Sequence, residues 1–501
     1  MSPTDTAFAI LYYINLVVVA FVTISFIPQA LFYLFFFLPR KHWKETKNIH
    51  PIAIVIAAHN EEAVIGRTVR HLRFEMNYPK EKYKVYVVCH NCSDHTKEEA
   101  LKAGADDVFV LNDPDKSHNA HAYPLQYGIR RILEINPEAE FFIRFDADNY
   151  PHPNYLKEMN KSFDGGAKII RGYEAAYNLK QNLWTEECAI FYFKDSRVQN
   201  TFRQFFHSTA MTTGPGLSFS RDIAERMNGW DCMTKCEDAE FDWKRLFEGY
   251  KAYFNTDAII YEDQPSTLLD TYNRLVRLGH SLNKLFFTDG WKMLVAFLRT
   301  GKPMYLDMLI QISFNPVSFL CFTWFPLYYI AYAICMLMQL SGVPIFTLGY
   351  FQAVAPDYLN AYQGLALADQ LRGAGYTAMM ELLKMAVQVI LSMSLFCIFQ
   401  SWIALFLDRR KLGMDYRLKG MWKGILLSPI FSLVYGICNF VGVVSAPRWK
   451  IAKRNPSNFH IDYPLPEQHR TTHYFTISER EKKRYDGHWW KKSTKPVLKT
   501  D

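Results

Sequence analysis

The first long apolar run of this chain carries no charge at all. From about Ala7 to Leu38 there is no Lys, Arg, Asp or Glu. The opening "MSPTDT" also lacks the basic stretch of a secretory signal. The run is too long for a signal core, so an uncleaved membrane span is expected. Cysteine is sparse as well. There are nine, an odd number, and Cys321, Cys335, Cys397 and Cys438 lie inside apolar runs. That excludes a disulfide scaffold and fits a reducing compartment. Cys89 and Cys92 flank His90 in a C-x-x-C pattern. The further ligands that zinc needs are missing nearby, so zinc is set aside.

What is present is unevenly distributed. Half of the 501 residues are hydrophobic, 16% are aromatic, and the net charge is +8. Apolar residues gather at the start and in the last third. Basic residues gather at Arg40–Lys47 and in the tail. Beside apolar runs, that pattern points to lipid headgroups rather than nucleic acid. The positive-inside rule places the middle of the chain in the cytosol.

The chain divides into five parts: 1–48, a span and its basic flank; 49–285, a soluble domain; 286–315, amphipathic interface helices; 316–446, further spans; and 447–501, a basic tail. Spans are expected at about Pro316–Leu340, Leu383–Phe406 and Trp422–Val444. Four spans from an outside N-terminus would leave the basic tail outside. The last segment contains Pro429, Gly436 and Gly442, so it is expected to be re-entrant or a hairpin.

Within 49–285, "IAIVIAAHNEE", "YKVYVVCHNCSD" and "AEFFIRFDADN" each run apolar and then turn polar. They read as buried parallel strands, with helix-like stretches at Glu62–Glu75 and Asp94–Ala103 between them. The domain is therefore an α/β sheet, and its ligands should sit beyond the carboxyl ends of the strands.

Three groups there could carry chemistry. Asp146 and Asp148 end the third strand, where two carboxylates could hold Mg²⁺ or Mn²⁺ beside a diphosphate. The alternative is a solvated acidic loop. Glu237 and Asp238 open a helix, and one of them could take a proton from an acceptor hydroxyl. The alternative is that they serve only the helix dipole. Arg274 and Arg277 share a helix face and could grip a diphosphate, or simply lie at the membrane surface.

In their order these pieces resemble glycosyltransferase family 2, in its membrane-integrated branch with cellulose, hyaluronan and chitin synthases. The resemblance covers about Pro51 to Lys284 through Asn60–Glu61, "HNCSD", "DAD", "TGPGLSFSR", "CED" and "RLVRL". It implies a cytosolic GT-A (Rossmann-like) domain between transmembrane helices. It also implies inverting transfer from a UDP-sugar, UDP-glucose first. Ala58, Asn60 and Glu61 would line the uridine pocket, with Asp94 nearby. Asp146 would meet the diphosphate, and Asp148 would hold the metal with it. Asp238 would be the general base, with Glu237 beside it. Arg274 and Arg277 would stabilise the leaving diphosphate, and Gly214, Pro215 and Gly216 would border the acceptor channel.

The sequence departs from that pattern in places. His90 stands where an Asp is usual, and His59 where a Tyr is frequent. Arg274 and Leu278 replace the Gln and Trp of Q-x-x-R-W. Lys116, in "KSHNAH", falls near a Lys-Gly step it matches poorly. The leading expectation is a multi-pass plasma-membrane synthase that extends and passes a β-linked polysaccharide. The runner-up adds one sugar to a lipid carrier or glycolipid. A transporter with a non-catalytic domain is disfavoured by the retained acidic residues.

Overall fold

The computed structural model describes residues 3–114, 122–412, 414, 417, 418 and 420–445. The tail from 447 on and the Lys116 segment lie outside the described residues.

The soluble domain is built on one eight-stranded mixed sheet. In chain order the strands are β1 (Ile52–Ala58), β2 (Tyr83–His90), β3 (Asp107–Leu111), β4 (Phe141–Asp146), β5 (Tyr150–Pro151), β6 (Ile169–Ala176), β7 (Ser218–Ser220) and β8 (Ala252–Glu262). They lie in the order β3-β2-β1-β4-β7-β6-β8-β5. β3, β2, β1 and β4 are parallel, and β7 is antiparallel to both neighbours.

The apolar runs follow from burial on both faces. Ala53, Val55 and Ala57 of β1 enter one core, while Ile52, Ile54, Ile56 and Ala58 enter the other. Strand side chains alternate, so a strand covered on both sides must be apolar throughout. The register pairs Ala58 with Cys89 and Ala57 with Asp146. The carboxyl ends of β1, β2 and β4 therefore lie side by side, where a ligand site is expected.

Among the described residues, four helices are long and apolar enough to cross a membrane: Pro3–Leu34, Asn315–Leu340, Leu367–Asp408 and Trp422–Val444. Their apolar side chains are largely outward-facing; Ile390 and Leu327, for example, are 67% and 73% exposed. The helices are not a separate layer. Ala404, Leu405, Met421 and Ile425 enter the same core as Val55 and Phe142. The buried Asp408 carboxylate pairs with Arg40, which ties the flank of the first helix to the end of the third.

Two expectations change. The last apolar segment is one unbroken helix, Trp422–Val444, and not a hairpin. Pro429 removes one N–H, and the Ser428 hydroxyl bonds the Ile425 carbonyl it would have met, at 2.9 Å. Gly436 and Gly442 are packing sites. A Cβ on Gly442 would stand 2.7 Å from backbone atoms of Val276 and His280, and one on Gly436 would strike the Phe322 ring. Small residues let helices approach this closely. Interhelical bonds add to the contact, with Asn283 donating to Asn439 at 3.0 Å and Tyr435 to Asn315 at 3.1 Å.

The amphipathic stretch is likewise no separate element. It is the end of helix Leu268–Thr300 and the start of helix Pro303–Leu340. The break between them is local chemistry. Gly301 takes φ +65° after the first helix, and Pro303 opens the second.

Candidate active site

Asn60 follows β1 at φ 55° and Asn91 follows β2 at φ 48°. Asparagine tolerates this left-handed region, so both strands turn sharply into their loops. The two loops are then tied together. The Asn60 side-chain oxygen accepts from the Ser93 N–H at 2.8 Å. Asp94 accepts from the N–H groups of Thr96 and Glu62, each at 3.1 Å. Partial burial opposes its ionisation, but these bonds win and hold the Asp94 carboxyl below the usual range. The structure thus uses Asn60 and Asp94 as loop braces. Glu61 is buried behind them, its N–H bonded to the Thr96 hydroxyl at 2.8 Å. His59 donates to the His90 carbonyl across 2.7 Å.

Asp146 ends β4, and the Asn149 side chain accepts from its N–H at 2.8 Å, closing a tight turn. Asp148 is buried within that turn. The Asn149 amide nitrogen is buried without a partner among the described residues. No three His, Cys, Asp or Glu converge on a metal-sized point among the described residues. A magnesium-type site often takes only one or two carboxylates, with substrate phosphate and water completing the shell. Two hard oxygen ligands at one strand end fit that pattern.

The residue that organises the site is one the sequence reading passed over. Arg144 lies on β4 and is 4% exposed. Alternation puts it on the same face as Phe142 and Asp146. Its Nη2 donates to Glu237 at 2.7 Å and lies 3.6 Å from Asp146. Its Nε and Nη1 are buried without partners among the described residues. The Gly-Pro-Gly loop closes over it. The Gly216 N–H donates to the Arg144 carbonyl at 2.9 Å, and a Cβ on Gly214 would come within 3.2 Å of Arg144 Nη2.

Asp238 sits beside this guanidinium. Burial, with Glu237 next to it, pushes its carboxyl above the ordinary range. Arg144, the Ala239 N–H at 2.8 Å and Arg277 pull it back. Asp242, one turn on, is buried and pushed up to about 7 by burial. Thr212 donates to it from its N–H at 2.7 Å and from its hydroxyl at 2.8 Å.

Arg274 and Arg277 part company here. Arg277 acts on Asp238. Arg274 is engaged by Glu262 at 3.2 Å, by Gln264 at 3.0 Å and by the Tyr192 hydroxyl. Burial pushes Glu262 well above the usual range; Arg274 opposes this and Glu174 adds to it. Leu278, in place of Trp, packs on the cluster that holds Cys236, Ala239 and Trp243.

The fold and the strand-end site define a GT-A-type α/β domain. Residues 53–227 match the family model for glycosyl transferase family 2, and residues 141–351 match that for glycosyl transferase family group 2. Two overlapping stretches of the chain thus resemble glycosyltransferase family 2. It is similar to a probable glycosyltransferase, YdaM, of Bacillus subtilis, with 26% identity over 231 residues, 45% of this chain and 54% of that protein. It is also similar to a beta-monoglucosyldiacylglycerol synthase of Trichormus variabilis, with 26% identity over 285 residues, 54% of this chain and 57% of that protein. The chain thus spans about half the length of these relatives. Among solved structures it resembles a mannosyltransferase from Pyrobaculum calidifontis in complex with GDP-Man and Mn²⁺. That likeness has 14% identity and a TM-score of 0.46, covering 84% of this chain and 99% of the other.

Proposed function

We propose that this chain is an inverting, bilayer-embedded glycosyltransferase that moves one hexose from a nucleoside diphosphate sugar to a hydroxyl on a lipid. The observation that carries it is the cluster at the end of β4. There Arg144 joins Glu237 at 2.7 Å and approaches Asp146 at 3.6 Å, with Asp238 in their shared field.

In this reading Asp238 takes the acceptor proton. A carboxyl held above the ordinary range by burial and by Glu237 keeps a transferred proton better than an ordinary one. Direct attack on the anomeric carbon, with one base and no protein nucleophile, inverts the linkage. Charge grows on the departing diphosphate, and Arg277 meets it. Asp146 and Asp148 would hold Mg²⁺ or Mn²⁺, which supplies a Lewis-acid counter-charge to that diphosphate. Arg274 is a positioning residue that keeps Glu262 in place. Gly214 to Gly216 border the acceptor side.

Two things favour a lipid acceptor over a growing polysaccharide. Leu278 is packed into an apolar cluster under the base-bearing helix and offers no aromatic shelf to a sugar. One of the relatives is named for glycolipid synthesis. The four apolar helices put the site beside a bilayer in this reading, with the domain on the cytosolic face of the cell membrane. Incubating the reconstituted protein with labelled UDP- and GDP-hexoses, Mg²⁺ or Mn²⁺ and a lipid extract tests it. A product one hexose heavier than its lipid supports the proposal. A high-mass polymer returns the polysaccharide synthase to first place. No turnover with any donor overturns both.

A further inference from the structure

Helix Glu237–Phe247 has two working faces. Asp238 and Asp242, four apart, share the one turned to the site. Glu240, Trp243, Lys244 and Phe247 fall on the opposite one. That back face closes a cavity of about 210 Å³ against helix Leu268–Thr300, whose Lys284, Thr288 and Lys292 form the other wall.

The charges in this cavity do not cancel. Lys244 pairs with Glu240 at 2.8 Å, and Lys292 pairs with Asp289. Lys284 is exposed and has no ion pair among the described residues. One uncompensated cation in the cavity wall suits a singly charged anion.

The surroundings say which anion. Phe287, Trp291, Leu294 and Leu298 are 66%, 62%, 44% and 72% exposed. Spaced by four, three and four residues, they form one stripe on helix Leu268–Thr300. This helix is not one of the four candidate spans. An exposed apolar and aromatic stripe on such a helix lies in the membrane interface. Lys284 lies at the edge of the cavity wall nearest the stripe.

We propose that this cavity binds the phosphate headgroup of an anionic phospholipid and braces the helix that carries Asp238 from behind. The proposal rests on the reading that this face meets a bilayer. Occupancy would be sensed by transfer, because cavity and base share one short helix.

The test uses the full chain in nanodiscs of pure phosphatidylcholine, and in others with about a third phosphatidylglycerol. The proposal expects faster transfer in the second kind. Phosphatidylglycerol should also be retained through purification, as read by mass spectrometry. Lys284→Ala should lower that retention about fivefold and abolish the stimulation, while activity in phosphatidylcholine stays as it was. Lys302→Ala, at another exposed lysine, should behave as the unaltered chain. Equal retention and stimulation in Lys284→Ala and Lys302→Ala overturn the proposal. If glycerol phosphate in neutral nanodiscs reproduces the stimulation, a free phosphate ester is the ligand and the lipid assignment falls. Failure to enter neutral nanodiscs at all would sink the bilayer reading instead.

Discussion

Arg144 of β4 and Glu237 at the start of its helix meet at 2.7 Å, though 93 residues separate them in the chain. Both are buried. Through this pair the strand that ends in Asp146 holds the helix that carries Asp238. The strand end proposed to meet the donor and the helix proposed to carry the base are thereby held together.

Arg144→Met should therefore damage transfer more than folding alone explains. Loss of one preorganised donor in an active site costs about 10²–10³ in rate. The charge of Arg144 favours the ionised form of Asp238. Without it the Asp238 carboxyl rises further, so the acid limb of kcat/KM should move to higher pH. Arg144→Lys should keep the limb near its original place. A limb that stays put in Arg144→Met would deny the electrostatic link.

Asp242 makes a stability prediction. Its folded-state pKa of about 7 lies above that of an ordinary carboxyl, so the folded chain binds a proton that the unfolded chain has lost. Its contribution to stability is then fully present below the ordinary carboxylate range and declines as pH rises toward about 7. Asp242→Asn should flatten the fall in melting temperature over that window, measured in detergent. An unchanged slope would count against the assignment.

Gly216 takes φ +70°, and a Cβ there would stand 2.3 Å from the Tyr155 hydroxyl. Gly216→Ala should destabilise the domain by about 1–3 kcal/mol through backbone strain alone, with the clash added. Adding Tyr155→Phe removes the clashing oxygen, and the double-mutant cycle should show coupling between the two sites. Strict additivity of the melting shifts would mean the clash is not felt.

Chelation tests the Asp146–Asp148 end of the site. EDTA should abolish transfer and weaken donor binding, and Mg²⁺ or Mn²⁺ should restore both. Asp148→Asn should need far more metal for the same rate. Full activity in EDTA would remove the metal from the account.

The sequence showed β1, β2 and β4 clearly, because strands buried on both faces are continuous apolar runs. It showed less where polarity and length interfere. β6 carries Arg171 and Glu174, and β7 is three residues long. Neither has a period to read. Asp146, Asp148, Glu237, Asp238 and Arg277 were legible as types in an order. Arg144 was not, although a single cation in "FFIRFD" was the available signal. Its partner is far away in the chain, on the helix Glu237–Phe247 that follows β7, and only the tertiary fold brings the two together. The same holds for Arg274. Its pairing with Glu262 needs the β8 terminus beside the helix, which no local pattern announces. The hairpin expected around Pro429 failed for another reason. Glycine and proline read as breakers along the chain, but between packed helices they mark close approach and a bond taken over by Ser428.

The central claim is that Asp238, held in the field of Arg144 and Arg277, is the base of a nucleotide-sugar transferase. The direct measurement compares donor binding and transfer in Asp238→Asn. The account predicts that the labelled nucleotide sugar binds as before, while transfer to lipid falls by about 10²-fold or more. Retained transfer would contradict the base assignment, and lost donor binding would show that Asp238 holds the donor instead.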